Sequence, residues 1–128
     1  MILRIGVPLS VGQTETARQL GILHPEHVRL HGVQRVPPLN GLLRRAGETL
    51  GVVSGRTVGM TLRYGIFIRQ DRWGDRRLLV HELAHVAQYE RMGGFREFLE
   101  QYLQECINPG YPLGDLEQEA RRAESTYS

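Results

Sequence analysis

The amino-acid sequence predicts an α+β domain, and three observations carry that prediction. Apolar and polar residues alternate over residues 28–36, and more weakly over 56–70, the period of half-buried strands. From Trp73 onward the spacing becomes the i, i+3, i+4 of amphipathic helices. Gly and Pro punctuate the chain at the ends of these runs, at Pro37-Pro38, Gly51, Gly93-Gly94 and "NPGYPLG" (108–114). At 128 residues the chain is expected to form one domain, residues 1–128, around a single core.

Each element follows from local chemistry. "VGQTETARQLGI" (11–22) reads as a short helix, with Thr14 or Thr16 as its cap and Gly21 at its end. Val28, Leu30, Val33 and Val36 then alternate with polar residues, and Pro37-Pro38 ends that strand. "NGLLRRAGETLG" (40–51) places Leu42, Leu43, Ala46 and Leu50 at helical spacing, with Asn40 as a cap and Gly51 past the end. "RTVGMTLRYGIFIRQ" (56–70) favours a strand or hairpin, and Gly59 and Gly65 suggest bulges or a close backbone approach. Asp75 caps a helix that runs to about Met92, where Gly93-Gly94 stops it. Phe95, Phe98, Leu99, Tyr102, Leu103 and Cys106 form one apolar face of the next helix. After the 108–114 loop, "DLEQEARRAESTY" (115–127) is a last, polar helix with Asp115 as its cap.

Composition excludes several function classes. With 41% hydrophobic and 23% charged residues the chain is neither disordered nor membrane-like. Its net charge is only +2, carried by Arg spread along the chain, with no Lys. No nucleic-acid motif accompanies the short Arg pairs, so solvated helix faces and ion pairs are expected rather than a nucleic-acid partner. A single cysteine, Cys106, excludes an intramolecular disulfide and a cysteine-based zinc site. Its place in the apolar face marks it as a core residue. Trp73 is expected to pack near the helix start. "MILRIGVPLSVGQ" lacks the apolar core of a signal peptide and no segment reaches spanning length, so a cytoplasmic location without membrane contact is the expectation.

The chemistry lies in "LLVHELAHVAQYE" (78–90), which contains H-E-x-x-H as His81, Glu82 and His85. Residues four apart share a helix face, so both imidazoles can reach one metal ion. Glu82 lies about 100° further round the axis, where it flanks the site and can take a proton from a water. Leu78, Leu79, Leu83, Val86 and Ala87 supply the buried back of this helix. Two imidazoles with a neighbouring carboxylate suit Zn²⁺, which needs a third protein ligand and an open position.

Gln88 and Arg91 stand where the metzincin extension requires Gly and His, which excludes that subclass. Pro25 and the predicted strand take His24, His27 and His31 off a shared face, so these are read as exposed turn and strand histidines. The last helix offers Glu117, Glu119 and Glu124. Residues two apart face nearly opposite sides of a helix, so only one of Glu117 and Glu119 can point at the metal.

"LLVHELAHVAQ" followed by "LEQEARRA" resembles the gluzincin metallopeptidases, and in particular small bacterial metallopeptidase domains whose helix reads H-E-L-x-H-V-x-Q. The resemblance covers about residues 57–123. It implies a zincin-like fold: a small, mostly antiparallel sheet packed on the H-E-x-x-H helix, with a ligand helix at the C-terminus. In that clan the third ligand is a Glu on a later helix, often within E-x-x-A-D or E-x-x-A-N, which falls here on Glu117, with Glu119 as the rival. Arg121 departs from the Asp or Asn that supports a ligand histidine. The resemblance further implies an edge strand before the helix, here "TLRYGIFIRQ" (61–70), on which a peptide lies as an added strand.

The function so implied is zinc-dependent hydrolysis of peptide bonds in a peptide or protein substrate, with Glu82 as general base. Tyr111, in the loop before the ligand helix, is a weaker candidate for oxyanion stabilisation. The alternatives are a latent or non-catalytic zinc-stabilised protein-binding module, a peptidase that cleaves one specific partner, and a domain carried by a phage-like or secretion system.

Overall fold

The computed structural model describes residues 4–36 and 58–128. Among these, four strands form one sheet: β1 (Arg4–Pro8), β2 (Arg29–Val33), β3 (Gly59–Leu62) and β4 (Gly65–Arg69), in the order β1-β2-β4-β3. Four helices accompany them: α1 (Val11–Gln19), α2 (Arg76–Arg91), α3 (Phe95–Glu105) and α4 (Asp115–Tyr127). The architecture is α+β. The sheet is mixed: the β1/β2 and β3/β4 pairs are antiparallel and flank a parallel β2/β4 pair. The helix expected at 40–51 and the start of the strand expected at 56 lie outside the described residues.

The sequence assigned no element to residues 4–8, yet they pair with β2. Gly6 interrupts the register there with φ +63°, and its N–H donates to His31 Nδ1 at 3.2 Å. The stretch expected as an edge strand, 61–70, is divided. A two-residue turn at Arg63-Tyr64 folds it back on itself, with Arg63 at φ +55°. β4 therefore lies inside the sheet, between β2 and β3, and β3 and β1 are its two edges among the described residues.

The helix caps also refine the sequence reading. α1 is capped by Ser10, not Thr14 or Thr16: Ser10 and Gln13 bond each other's backbone N–H in a reciprocal capping box. Gly21 adopts φ +94° past its end, as expected. Asp75 caps α2 by accepting from the Leu78 N–H at 3.0 Å. Asp115 lies in the first turn of α4 rather than capping it. The capping acceptor is Glu105 of α3, whose carboxylate takes the Leu116 N–H at 2.9 Å. Gly114 makes room for it, because a Cβ there would sit 2.4 Å from Glu105 Cβ.

The core forms where α2 lies on the sheet. Leu30, Ile66 and Ile68 come from the strands, Leu79, Leu83, Val86 and Ala87 from α2, and Ala17 from α1. Trp73 and Leu78 pack against this cluster. Each fully buried aliphatic side chain contributes about 1.5–3 kcal/mol, which sets the face α2 turns to the sheet. α3 is covered less than its stripe predicts: Phe98 is buried, while Phe95, Leu99, Leu103 and Cys106 are only half-buried. Arg76 ties the helices together, donating to Thr16 Oγ1 at 3.0 Å and to the Tyr127 carbonyl at 2.9 Å. No helix among the described residues is long and apolar enough to cross a membrane.

Candidate metal centre

With one face of α2 committed to the sheet, His81, His85 and Gln88 fall on the face toward α4. One ring nitrogen of His81, one of His85 and a carboxylate oxygen of Glu117 lie within 4.8 Å of one another. His81 Nε2 hydrogen-bonds Glu117 Oε1, and His85 Nε2 stands 3.3 Å from Glu117 Oε2. Glu117 and His85 are buried, at 4% and 5% exposure, although the sequence reads α4 as a polar helix.

The three glutamates that α4 offers have separate environments. Glu117 faces the two histidines. Glu119 faces away and accepts from Gln88 Nε2 at 2.8 Å and Arg91 Nη2 at 3.0 Å. Glu124, two turns beyond Glu117, bonds the second ring nitrogen of His81, with Nδ1···Oε2 at 3.0 Å. His85 Nδ1 is matched by Gln88 Oε1 at 2.9 Å, and Gln88 in turn donates to the Leu116 carbonyl at 2.9 Å. Both imidazoles thus have an oxygen acceptor at Nδ1. Bonds of this kind would hold the proton on Nδ1 and leave the Nε2 lone pair to an ion that replaces the proton shared with Glu117. The Tyr102 hydroxyl donates to Glu117 Oε2 at 2.9 Å and orients the carboxylate.

Two imidazole nitrogens and one carboxylate oxygen form a donor set that zinc takes in catalytic sites, and their convergence here fits such an ion. Without an ion, the surrounding carboxylates favour charged rings. Burial alone would lower the His81 pKa, but the bond to Glu117, the charges of Glu82 and Glu117 and the bond to Glu124 raise it to about 9. His85 is likewise raised against its burial by Glu117 and Glu82. Burial pushes Glu117 up, but its bonds to both histidines and their charges hold it well below the usual carboxylate range.

Glu82 lies beside this cluster, 4% exposed. Its Oε1 accepts from the Thr61 hydroxyl of β3 at 2.9 Å. Gly59 allows that approach, since a Cβ there would meet Leu78 Cδ1 at 2.9 Å and Glu82 Oε2 at 3.3 Å. An open groove of about 350 Å³ runs past Val58, Leu78, His81, Glu82, Tyr111 and Glu124. Tyr111, 48% exposed, therefore borders the same space as Glu82. Cys106 is half-buried rather than fully buried, near Glu117. Burial, then the charges of Glu117 and Glu105, push its thiol up to about 11.

Sequence reasoning missed four contributors. Gln88 figured as a departure from the metzincin pattern and as the last position of the H-E-L-x-H-V-x-Q match, without a role of its own, and Tyr102 only as part of an apolar stripe. A Tyr in such a stripe carries a polar tip that needs a partner, which was the available signal. Thr61 and the role of Glu124 had no local signal. The other histidines also differ from expectation in part. His31 lies in β2 and stacks on Phe67 at 4.8 Å. His24 and His27 are exposed, as expected, but Pro25 does not separate them. It opens a single 3₁₀ turn, Pro25–His27, and residues three apart eclipse in that geometry. Their rings stack at 5.1 Å.

Comparison with known proteins finds no matching family model, no matching curated protein and no matching solved structure.

Proposed function

We propose that the protein is a zinc-dependent peptidase of gluzincin type with a zincin-like fold, in which His81, His85 and Glu117 hold Zn²⁺ and Glu82 is the general base. The observation that carries this reading is the convergence of those three donors within 4.8 Å, with Glu82 buried one residue along the same helix. Zinc bound there would supply Lewis acidity for a peptide carbonyl and lower the pKa of a water. Glu82 would serve as the base that takes a proton from the attacking water and as the acid that returns it to the departing amine. Thr61 orients Glu82 for both transfers. β3, the edge strand nearer Glu82 among the described residues, supports binding of an extended chain by strand addition beside the groove.

A second reading, a zinc-stabilised binding module without catalysis, draws on the apolar residues left exposed beyond α3, Ile107 at 69% and Leu113 at 63%. One experiment separates the two. Zinc content is measured for the wild type, Glu117→Ala, Glu119→Ala and Glu82→Gln, alongside cleavage of an unfolded, fluorophore-quenched protein. A peptidase keeps its zinc in Glu82→Gln and Glu119→Ala, loses it in Glu117→Ala, and loses cleavage in Glu82→Gln. Zinc retention with no cleavage by the wild type favours the module. Absence of zinc from the wild type, with stability indifferent to chelators, removes both readings.

A further inference from the structure

We propose a second metal site on the opposite end of α2, at the exposed turn His24–His27, where His24, Glu26 and His27 bind a divalent transition ion of the zinc class. This goes beyond the peptidase reading and does not depend on it. One donor atom from each of the three lies within 4.8 Å of the others. Glu26 Oε1 stands between the imidazoles, 3.3 Å from His24 Nδ1 and 3.9 Å from His27 Nε2. The rings stack with an interplanar angle of 13°. Zinc bonds of about 2.0–2.2 Å to nitrogen and oxygen require donors closer together than the widest of these separations. All three side chains are exposed and can make that small adjustment by side-chain rotation.

What distinguishes this cluster from scattered surface histidines is the way its backbone is held. The 3₁₀ turn closes through His27 N–H to the His24 carbonyl at 3.0 Å and Val28 N–H to the Pro25 carbonyl at 3.1 Å, and Pro25 itself is buried. Glu90, in the last turns of α2, accepts the Leu23 and His24 N–H groups at 2.7 and 3.0 Å. The Tyr64 hydroxyl fixes Glu90 at 2.6 Å, and the Tyr64 ring meets the edge of His27 at 5.2 Å. The cation nearest in sequence, Arg29, is turned away from the carboxylate, with its Nη1 on the Glu26 and Val28 carbonyls at 2.8 Å. Among the described residues, the side-chain partners of the carboxylate are the two imidazoles. Three donors on a backbone already anchored lower the entropy cost of gathering them round an ion. Their exposure leaves the remaining coordination positions to water, so this site binds more weakly than the buried one.

The test is zinc titration of the full chain by calorimetry, with folding checked by circular dichroism and the histidine ring protons followed by NMR. The proposal expects two sites in the wild type. The weaker one disappears in His24→Ala/His27→Ala and weakens about tenfold in Glu26→Gln. The tighter one is unchanged in both, and the ring protons of His24 and His27 shift only in the second phase of the titration. In His81→Ala/His85→Ala the weaker site remains. Because the three ligands are exposed, their variants fold, and His24→Ala/His27→Ala with unaltered stoichiometry overturns the proposal. So does a wild type in which no phase depends on His24 and His27, or one whose weaker phase is lost with His81 and His85.

Discussion

His81 and Glu124 are joined across two helices, with Nδ1···Oε2 at 3.0 Å, and Arg77 Nε holds the other carboxylate oxygen at 3.3 Å. The gluzincin pattern expects support for a ligand histidine from the residue that is Arg121 here. Here the carboxylate beside His81 Nδ1 is that of Glu124, one turn later on the same helix. Outer partners of this kind fix the ring orientation and raise its basicity, and losing one typically costs 10–100-fold in metal affinity. Glu124→Ala should weaken zinc binding by that amount in a chelator competition, with little change in the folded fraction because Glu124 is partly solvated. Unchanged affinity would mean that the Glu124 contact is incidental.

Gln88 is fully buried and spends its amide on three groups: His85 Nδ1, the Leu116 carbonyl and Glu119. Gln88→Leu keeps the volume and removes all three bonds. A buried polar group left without a partner costs about 1–3 kcal/mol. Urea denaturation of the metal-free protein should therefore show a loss of about 2–4 kcal/mol, drawn from at least two such groups.

The start of α4 depends on Gly114. A methyl group there would overlap Glu105 Cβ at 2.4 Å, and a Cβ cannot swing aside as a side-chain end can. Gly114→Ala should displace the α3–α4 junction, break the Glu105 cap on Leu116 and shift Glu117 by moving its helix. Overpacking of this kind typically costs about 1–3 kcal/mol. Zinc affinity should fall along with the midpoint of urea unfolding, whereas Gly93→Ala, at a position with open space but φ +88°, should lower the midpoint alone.

Acidity should act on the metal-free protein and on zinc binding in opposite directions. The His81 pKa rises on folding from 6.5 to about 9. Its contribution to stability is therefore complete below pH 6.5 and disappears as pH rises through 9, an effect on the order of a few kcal/mol. A ligand imidazole must be neutral, so zinc affinity increases over that same interval. Glu117 adds the reverse contribution at low pH: its lowered pKa makes it stabilising above the ordinary carboxylate range, and that is lost in strong acid. Thermal melts with chelator from pH 5 to 10 should show Tm falling on the alkaline side, and His81→Gln should flatten that fall.

The sequence by itself determined what is local. Helical phase placed His81 and His85 on one face, Asp75 at the head of their helix, and Leu79, Leu83, Val86 and Ala87 on its buried back. These follow from 3.6 residues per turn and from a side chain reaching its own N-terminal N–H groups. The same phase separated Glu117 from Glu119 without saying which would face the histidines. That choice came from the tertiary structure, because the angle of α4 is set by non-local contacts: Glu105 at its start, Arg76 at its end and Gln88 along its length. Tertiary pairing also made β3 rather than β4 the outer strand, because the turn at Arg63-Tyr64 lets β4 pair with β2. It gave His81 a carboxylate partner in Glu124, for which the sequence held no local signal, and it brought His24 and His27 together through a turn anchored by Glu90, 63 residues beyond His27. The period of a pattern is encoded in neighbouring residues. The neighbour that each face meets depends on where distant elements pack.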